Sequence, residues 1–267
     1  MGMAERRSRA VLFVFALLTA APGAAASPWT RDPGRLFVST RTDYFLAHGE
    51  PVFPNAPARR FSRYDQDAYV EYGIARSTML GAKVVYGTST YSDGLTTATA
   101  SGFSEVEGFV QRQVWRTERD AFAVKITLAL PTEFATTPRP DLRRDGADLE
   151  IRALYGRNLI AAPVKAYASA EVAYRRRFGA ASDQARADFL IGVEPSRRVL
   201  ILLEALSTKA IGPAASGGGD YDIVKLQPSF VWRLARRWAF QAGLTHEAAG
   251  RNLILGDAWF AGLWTSF

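Results

Sequence analysis

Residues 121–130 read AFAVKITLAL. Phe122, Val124, Ile126, Leu128 and Leu130 fall on one parity, and Ala123, Lys125, Thr127 and Ala129 fall on the other. A period of two puts alternate side chains on opposite faces of a strand, whereas a helix would need a spacing of three to four. The same alternation continues downstream. In 147–157, Leu149, Ile151, Ala153 and Tyr155 oppose Asp148, Glu150, Arg152 and Gly156. In 164–175, Val164, Ala166, Ala168, Ala170, Val172 and Tyr174 oppose Lys165, Ser169, Glu171 and Arg175.

About 12 such segments follow one another. They begin near Leu36, Tyr64, Met79, Ser104, Ala121, Ala147, Val164, Arg186, Val199, Tyr221, Trp238 and Leu253. Two are poorly patterned: Val199–Leu206 is apolar on both faces around Glu204, and Ser104–Trp115 carries Arg112 among its apolar positions. The connections alternate long and short. Ala47–Arg63, Ser92–Phe103, Pro131–Gly146 and Thr208–Asp220 are long, while Arg76–Thr78, Thr117–Asp120, Pro195–Arg198 and Ala235–Arg237 are short. An all-β, antiparallel up-and-down barrel with tight turns at one end and loops at the other gives this rhythm. Even strand number places both termini at the short-turn end. A propeller would pack four strands into each repeat, and only two are present per period.

Composition narrows the setting. The chain has 267 residues, 22% charged and 48% hydrophobic, with a formal charge of +7 and no cysteine. Disulfides, zinc–thiolate sites and thiol nucleophiles are thereby excluded. No apolar run approaches the roughly 20 residues of a membrane-spanning helix. Residues 1–26 carry a basic start (Arg6, Arg7, Arg9), an apolar run from Ala10 to Ala21, and Ala24-Ala25-Ala26 before Ser27. That order predicts a secretory signal peptide, leaving 27–267 as one barrel domain with a charge of about +5. Only Ser27–Gly34 precede the first strand, so no plug is expected. Nucleic acid is not an expected partner of an exported chain. Ser216-Gly217-Gly218-Gly219 lacks the Lys-Ser/Thr of a phosphate loop, and Asp220 with Asp222 are too few for calcium. No cofactor and no metal are therefore expected.

Alternation alone does not tell a soluble barrel from a membrane barrel, whose apolar face is turned outward. The C-terminus does. Phe267 closes a strand in which Leu263, Ala261 and Trp259 share its parity. This resembles the C-terminal signature of Gram-negative outer-membrane barrels, with Trp259, Leu263 and Phe267 as the assembly signal and Thr265 as a departure from the pattern. The stretches DLEIRALYGRN (148–158), EVAYRRRF (171–178) and VKLQPSFVWRL (224–234) are also similar to uncharacterised proteobacterial barrels of this kind. The resemblance implies an outer-membrane location, lipid and lipopolysaccharide as surroundings, and the barrel assembly machinery as a partner. Aromatics at strand ends agree with two interfacial girdles. Trp232, Trp238, Tyr155, Phe122 and Phe267 would form one, and Tyr44, Tyr86, Tyr174 and Phe189 the other.

The inward parity then carries Lys83, Glu105, Glu107, Lys125, Asp148, Glu150, Arg152, Lys165, Glu171, Arg186, Asp188, Glu204 and Lys225, with Glu71 beside them. These are the candidate lumen-lining residues. Signs alternate between neighbouring strands, so Lys83 is expected to meet Glu105 and Glu107, and Glu204 to meet Lys225. A passive channel or small-solute transporter with a charged lumen is the first functional expectation. A closed structural barrel whose loops bind lipopolysaccharide or an envelope partner is the second. Arg139, Arg143 and Arg144 are its candidate phosphate ligands, with Arg59, Arg60 and Arg63 on the same side. A lipid hydrolase is third and weakly supported. Only His48 and His246 exist, and no serine motif flanks either.

Overall fold

A computed structural model describes residues 27–49, 59–132, 146–216 and 219–267. Twelve strands form one closed sheet: β1 (Leu36–Gly49), β2 (Arg59–Ala75), β3 (Thr78–Ser92), β4 (Thr97–Arg116), β5 (Asp120–Ala129), β6 (Asp148–Ile160), β7 (Lys165–Arg177), β8 (Asp183–Ser196), β9 (Val199–Ile211), β10 (Asp222–Arg233), β11 (Trp238–Arg251) and β12 (Gly256–Ser266). Each strand pairs antiparallel with its neighbours in sequence. β12 returns to β1 in a register running from Phe37 opposite Ser266 to Ala47 opposite Gly256. Closure leaves no free edge, which removes the usual hazard of unpaired strand amides.

The expected parities hold. Phe122, Ile126, Leu128, Ile151, Val172 and Leu203 face outward, and their partners in the alternation face in. Trp232, Trp238, Tyr155 and Phe267 are exposed near the short-turn end, and Tyr44, Tyr86, Tyr174 and Phe189 are exposed on the same outer wall. Trp259 and Leu263 also lie on the outer face of β12. A water-soluble protein would rarely leave so large an apolar surface uncovered.

Three expectations need correction. The long connection expected over Ser92–Phe103 is a four-residue turn, 93–96, because β4 begins at Thr97. The missed start of β4 is rich in Thr, Ser and Ala and is held by hydroxyl pairs, Thr88 with Ser101 (2.9 Å) and Thr90 with Thr99 (3.1 Å). A hydropathy period does not register such a strand. At its turn the Asp93 carboxylate accepts from the amides of Leu95 and Thr96, which holds its pKa below the ordinary value. β2 likewise starts at Arg59, so Arg63 is not a loop residue; it faces inward. The third correction is that the segment before β1 is not outside the barrel. Ser27, Pro28 and Thr30 are buried within it.

Candidate functional site

The interior divides into a packed layer near the short-turn end and a charged cavity above it. The packed layer comes from the strands that looked irregular. Leu200 and Leu202 of β9 point inward while Ile201 and Leu203 face out, which explains why β9 is apolar on both faces. With Phe37, Tyr167, Leu190, Val231 and Trp264 they form a buried cluster against Trp29 and Tyr69. Phe37 has no exposed surface, and Leu200 and Val231 retain 1% each, so this level of the interior is filled. The bulky side chains come from β1, β7–β10 and β12. The inward positions of β5 and β6 are small at the turn end: Ala121, Ala123 and Gly156.

The space left by those small residues is taken by Ser27–Arg31. Gln111 Nε2 donates to the Ser27 carbonyl (2.6 Å) and Gln113 Nε2 to that of Pro28 (2.9 Å). The Trp29 ring meets Tyr167 edge-on at 6.3 Å. Arg31 Nε pairs with Glu71 Oε2 at 2.6 Å, and its guanidinium lies 4.4 Å from the centroid of the Phe37 ring. Gly156 makes the berth: a Cβ there would stand 2.5 Å from Pro28 Cγ and from Trp29 Cη2. Gly73 does the same for the exit of the segment, where a Cβ would come 2.1 Å from the Asp32 carbonyl oxygen.

Above this stopper is a cavity of about 930 Å³, lined by ten carboxylates and eight basic side chains among the described residues. Of the thirteen sequence candidates, Lys83, Glu105, Glu107, Lys125, Glu150, Arg152, Glu171, Arg186, Asp188, Glu204 and Lys225 line it. Asp148 faces inward beyond its edge, buried, with Arg177 Nε at 3.5 Å and Arg175 Nη1 at 3.8 Å. Lys165 is a correction. It shares the inward parity of Tyr167 and Ser169 but opens β7 at the turn end, where it is exposed outside the cavity.

The charges form a few joined clusters. Arg152 Nε bonds Glu150 (2.8 Å), and its Nη1 bonds both Glu171 (2.7 Å) and Asp188. Glu150 also receives Arg175 (2.9 Å) and Arg186 (3.0 Å), and Arg175 reaches Glu107 (3.1 Å). On the opposite wall Lys83 bonds Glu105 (2.9 Å) and Asp67 (3.4 Å), as strand adjacency predicted for Glu105. The expected Glu204–Lys225 pair does not form. Lys225 bonds Glu247 of β11 (3.0 Å), and Glu204 instead accepts from Gln227 Nε2 (2.5 Å). The register sets Gln227 directly opposite Glu204 and Glu247 directly opposite Lys225, so strand adjacency alone does not fix the partner.

Residues absent from the candidate set complete the lining. Arg41 pairs with Asp43 (2.8 Å between Nε and Oδ2), and Arg63 pairs with Asp65 (2.7 Å). Both pairs are Arg-x-Asp in sequence, two residues apart on one strand face. That spacing is a readable signal for an inward ion pair. Gln227 of β10 links β1 and β11, accepting from Arg41 Nη2 (3.2 Å) and Thr245 Oγ1 (2.9 Å).

Two other expectations fall elsewhere. Arg139, Arg143 and Arg144 lie outside the described residues. His246 faces outward on β11 and pairs with Asp257 (2.7 Å). Its same-face strand neighbours are Leu244 and Ala248, and Leu226 sits opposite on β10. None of these described strand neighbours is a serine. Among the described residues no group of carboxylates and histidines could hold a metal ion.

Solved structures place this architecture. An outer-membrane channel of Pseudomonas putida F1, titled as a COG4313 channel, superposes with a TM-score of 0.71 over 93% of this chain and 100% of that one, at 10% identity. The fold is that of the bacterial outer-membrane barrels. The NanC porin (TM-score 0.56, 6% identity, 85% and 98% covered) and the KdgM porin in complex with disordered oligogalacturonate (0.53, 7%, 86% and 99%) share it. No family profile matches the sequence, and no curated protein matches it.

Proposed function

We propose that the protein is an outer-membrane channel for small polar solutes, shut in this conformation at its periplasmic end by Ser27–Arg31. The observation that carries this reading is the composition of the stopper. The buried cluster draws its side chains from β1, β7–β10 and β12, and the gap beside Ala121, Ala123 and Gly156 on β5 and β6 is filled by a segment outside the sheet. A segment that makes no strand pairing can move without breaking the barrel. Above it the cavity is lined by fixed charges of both signs, as suits passage of hydrated solutes. The solved structures with the same fold include proteins titled as a channel and as porins. The reading includes removal of residues 1–26 during export, which makes Ser27 the first residue inside the barrel.

The second reading is a permanently closed barrel. The full burial of Phe37, Leu200, Val231 and Gln111 favours it. Conductance separates the two. A refolded chain beginning at Ser27 and one beginning at Asp32 would be compared in planar bilayers. If the segment is the stopper, the shorter chain conducts steadily and the longer one opens rarely. A closed barrel is silent in both forms.

A further inference from the structure

Of the eight basic side chains lining the cavity, Arg41, Arg63, Lys83, Arg152, Arg175, Arg186 and Lys225 each pair with a carboxylate within 3.4 Å. Lys125 is the eighth. It is 9% exposed and lines the cavity, yet it makes no ion pair and no hydrogen bond with the described residues. What it touches is a ring: its Nζ lies 5.2 Å from the centroid of Phe109. Glu204, which has no cation within bonding distance either, is satisfied by Gln227. Glu171, Glu150 and Glu71 act on Lys125 only from beyond ion-pair contact, and an ammonium that has given up most of its hydration without a carboxylate in contact is the costly case, which an arriving anion relieves.

The position of Lys125 is built. Phe109 fits against β3 only because residue 81 is glycine, where a Cβ would stand 2.2 Å from the Phe109 ring. Phe109 stacks on Tyr69 at 5.9 Å, and the Tyr69 hydroxyl donates to Glu71 at 2.7 Å. Glu71 holds Arg31 of the stopper. Lys125 is thus linked through two rings and one carboxylate to the segment that closes the barrel.

We propose that Lys125 is an oxyanion-binding site at the floor of the cavity, for a small solute carrying a single carboxylate or phosphate-type group. The deduction deepens the channel reading and rests on it for the solute's passage, but binding itself needs only the folded barrel. A single open cation among paired ones selects one anionic group rather than a polyanion. The carboxylates nearest in effect, Glu171, Glu150 and Glu71, are each already held by arginine and keep the site from accepting more.

The test is calorimetric titration of the refolded chain 27–267 with sodium acetate and, separately, sodium phosphate, for wild type, Lys125→Met and Lys125→Arg. Losing a charge-assisted hydrogen bond predicts about tenfold weaker binding in Lys125→Met. Lys125→Arg should stay near wild type. Removing an unpaired buried cation should not impair folding, and heat-modifiable gel mobility checks that directly. Stronger binding of acetate than phosphate assigns the site to carboxylates, and the reverse assigns it to phosphates. Equal affinities in wild type and Lys125→Met, or no saturable binding of either anion to wild type, would overturn the proposal. Binding that depends on Lys125 in a barrel that never conducts would instead remove the channel reading and leave the site standing.

Discussion

Replacing Arg152 by Met should destabilise the barrel far more than replacing Lys83 by Met, although both remove one cation from the same cavity. Arg152 is 5% exposed and holds Glu150, Glu171 and Asp188 together. After Arg152→Met, Glu150 keeps Arg175 and Arg186, but no other ion pair holds Glu171 or Asp188 among the described residues. Breaking a buried ion pair by deleting one partner costs about 3–5 kcal/mol. Both stranded carboxylates retain some access to the cavity, so the lower end, about 3 kcal/mol, is expected. Lys83 and Glu105 are 34% and 27% exposed, and a solvent-screened pair of this kind is worth about 0–1 kcal/mol. Urea unfolding in lipid vesicles, followed by tryptophan fluorescence and extrapolated linearly, measures both variants. Adding Glu171→Gln to Arg152→Met should recover part of the loss, since it removes one of the two stranded charges. Equal losses for Arg152→Met and Lys83→Met, or less than about 1 kcal/mol for the former, would refute the contrast between the buried Arg152 cluster and the more exposed Lys83–Glu105 pair.

Two further outcomes follow from named contacts. Gly156→Leu places carbon where Pro28 and Trp29 now sit, so it should expel the segment and raise open probability in bilayer recordings, while Gly108→Ala, which meets nothing within 4 Å, should leave it unchanged. Deleting Phe267 removes an outer-face aromatic at the barrel's closing strand and the amide that bonds the Leu36 carbonyl at 2.9 Å. It should lower the yield of heat-modifiable, membrane-inserted barrel in cells.

The sequence made the strands legible wherever hydropathy alternates. The 121–130 stretch matches β5 to within a residue, and eleven of the thirteen charged candidates line the cavity. Two kinds of strand were legible only in part. Those that run past the apolar belt, such as the Thr/Ser-rich start of β4, carry no hydropathy period. β9 carries apolar residues on both faces because its inner face is core, and only the closed structure shows what that core packs against. Partners were less legible than positions. Lys83–Glu105 is a neighbour-strand pair and was readable, whereas Arg152–Asp188 joins β6 to β8 across β7 through the tilt of the barrel. The stopper left almost no trace. A stretch of five residues has no period, and its berth is written in the glycines and alanines of distant strands.

The central claim is that a lumen built to conduct is closed by Ser27–Arg31. Single-channel recording of the refolded chain with and without these residues tests it most directly. Stable conductance steps in the chain beginning at Asp32, against a mostly silent chain beginning at Ser27, are the predicted result. A shorter chain that is folded yet silent, or a full one that conducts equally well, would contradict it.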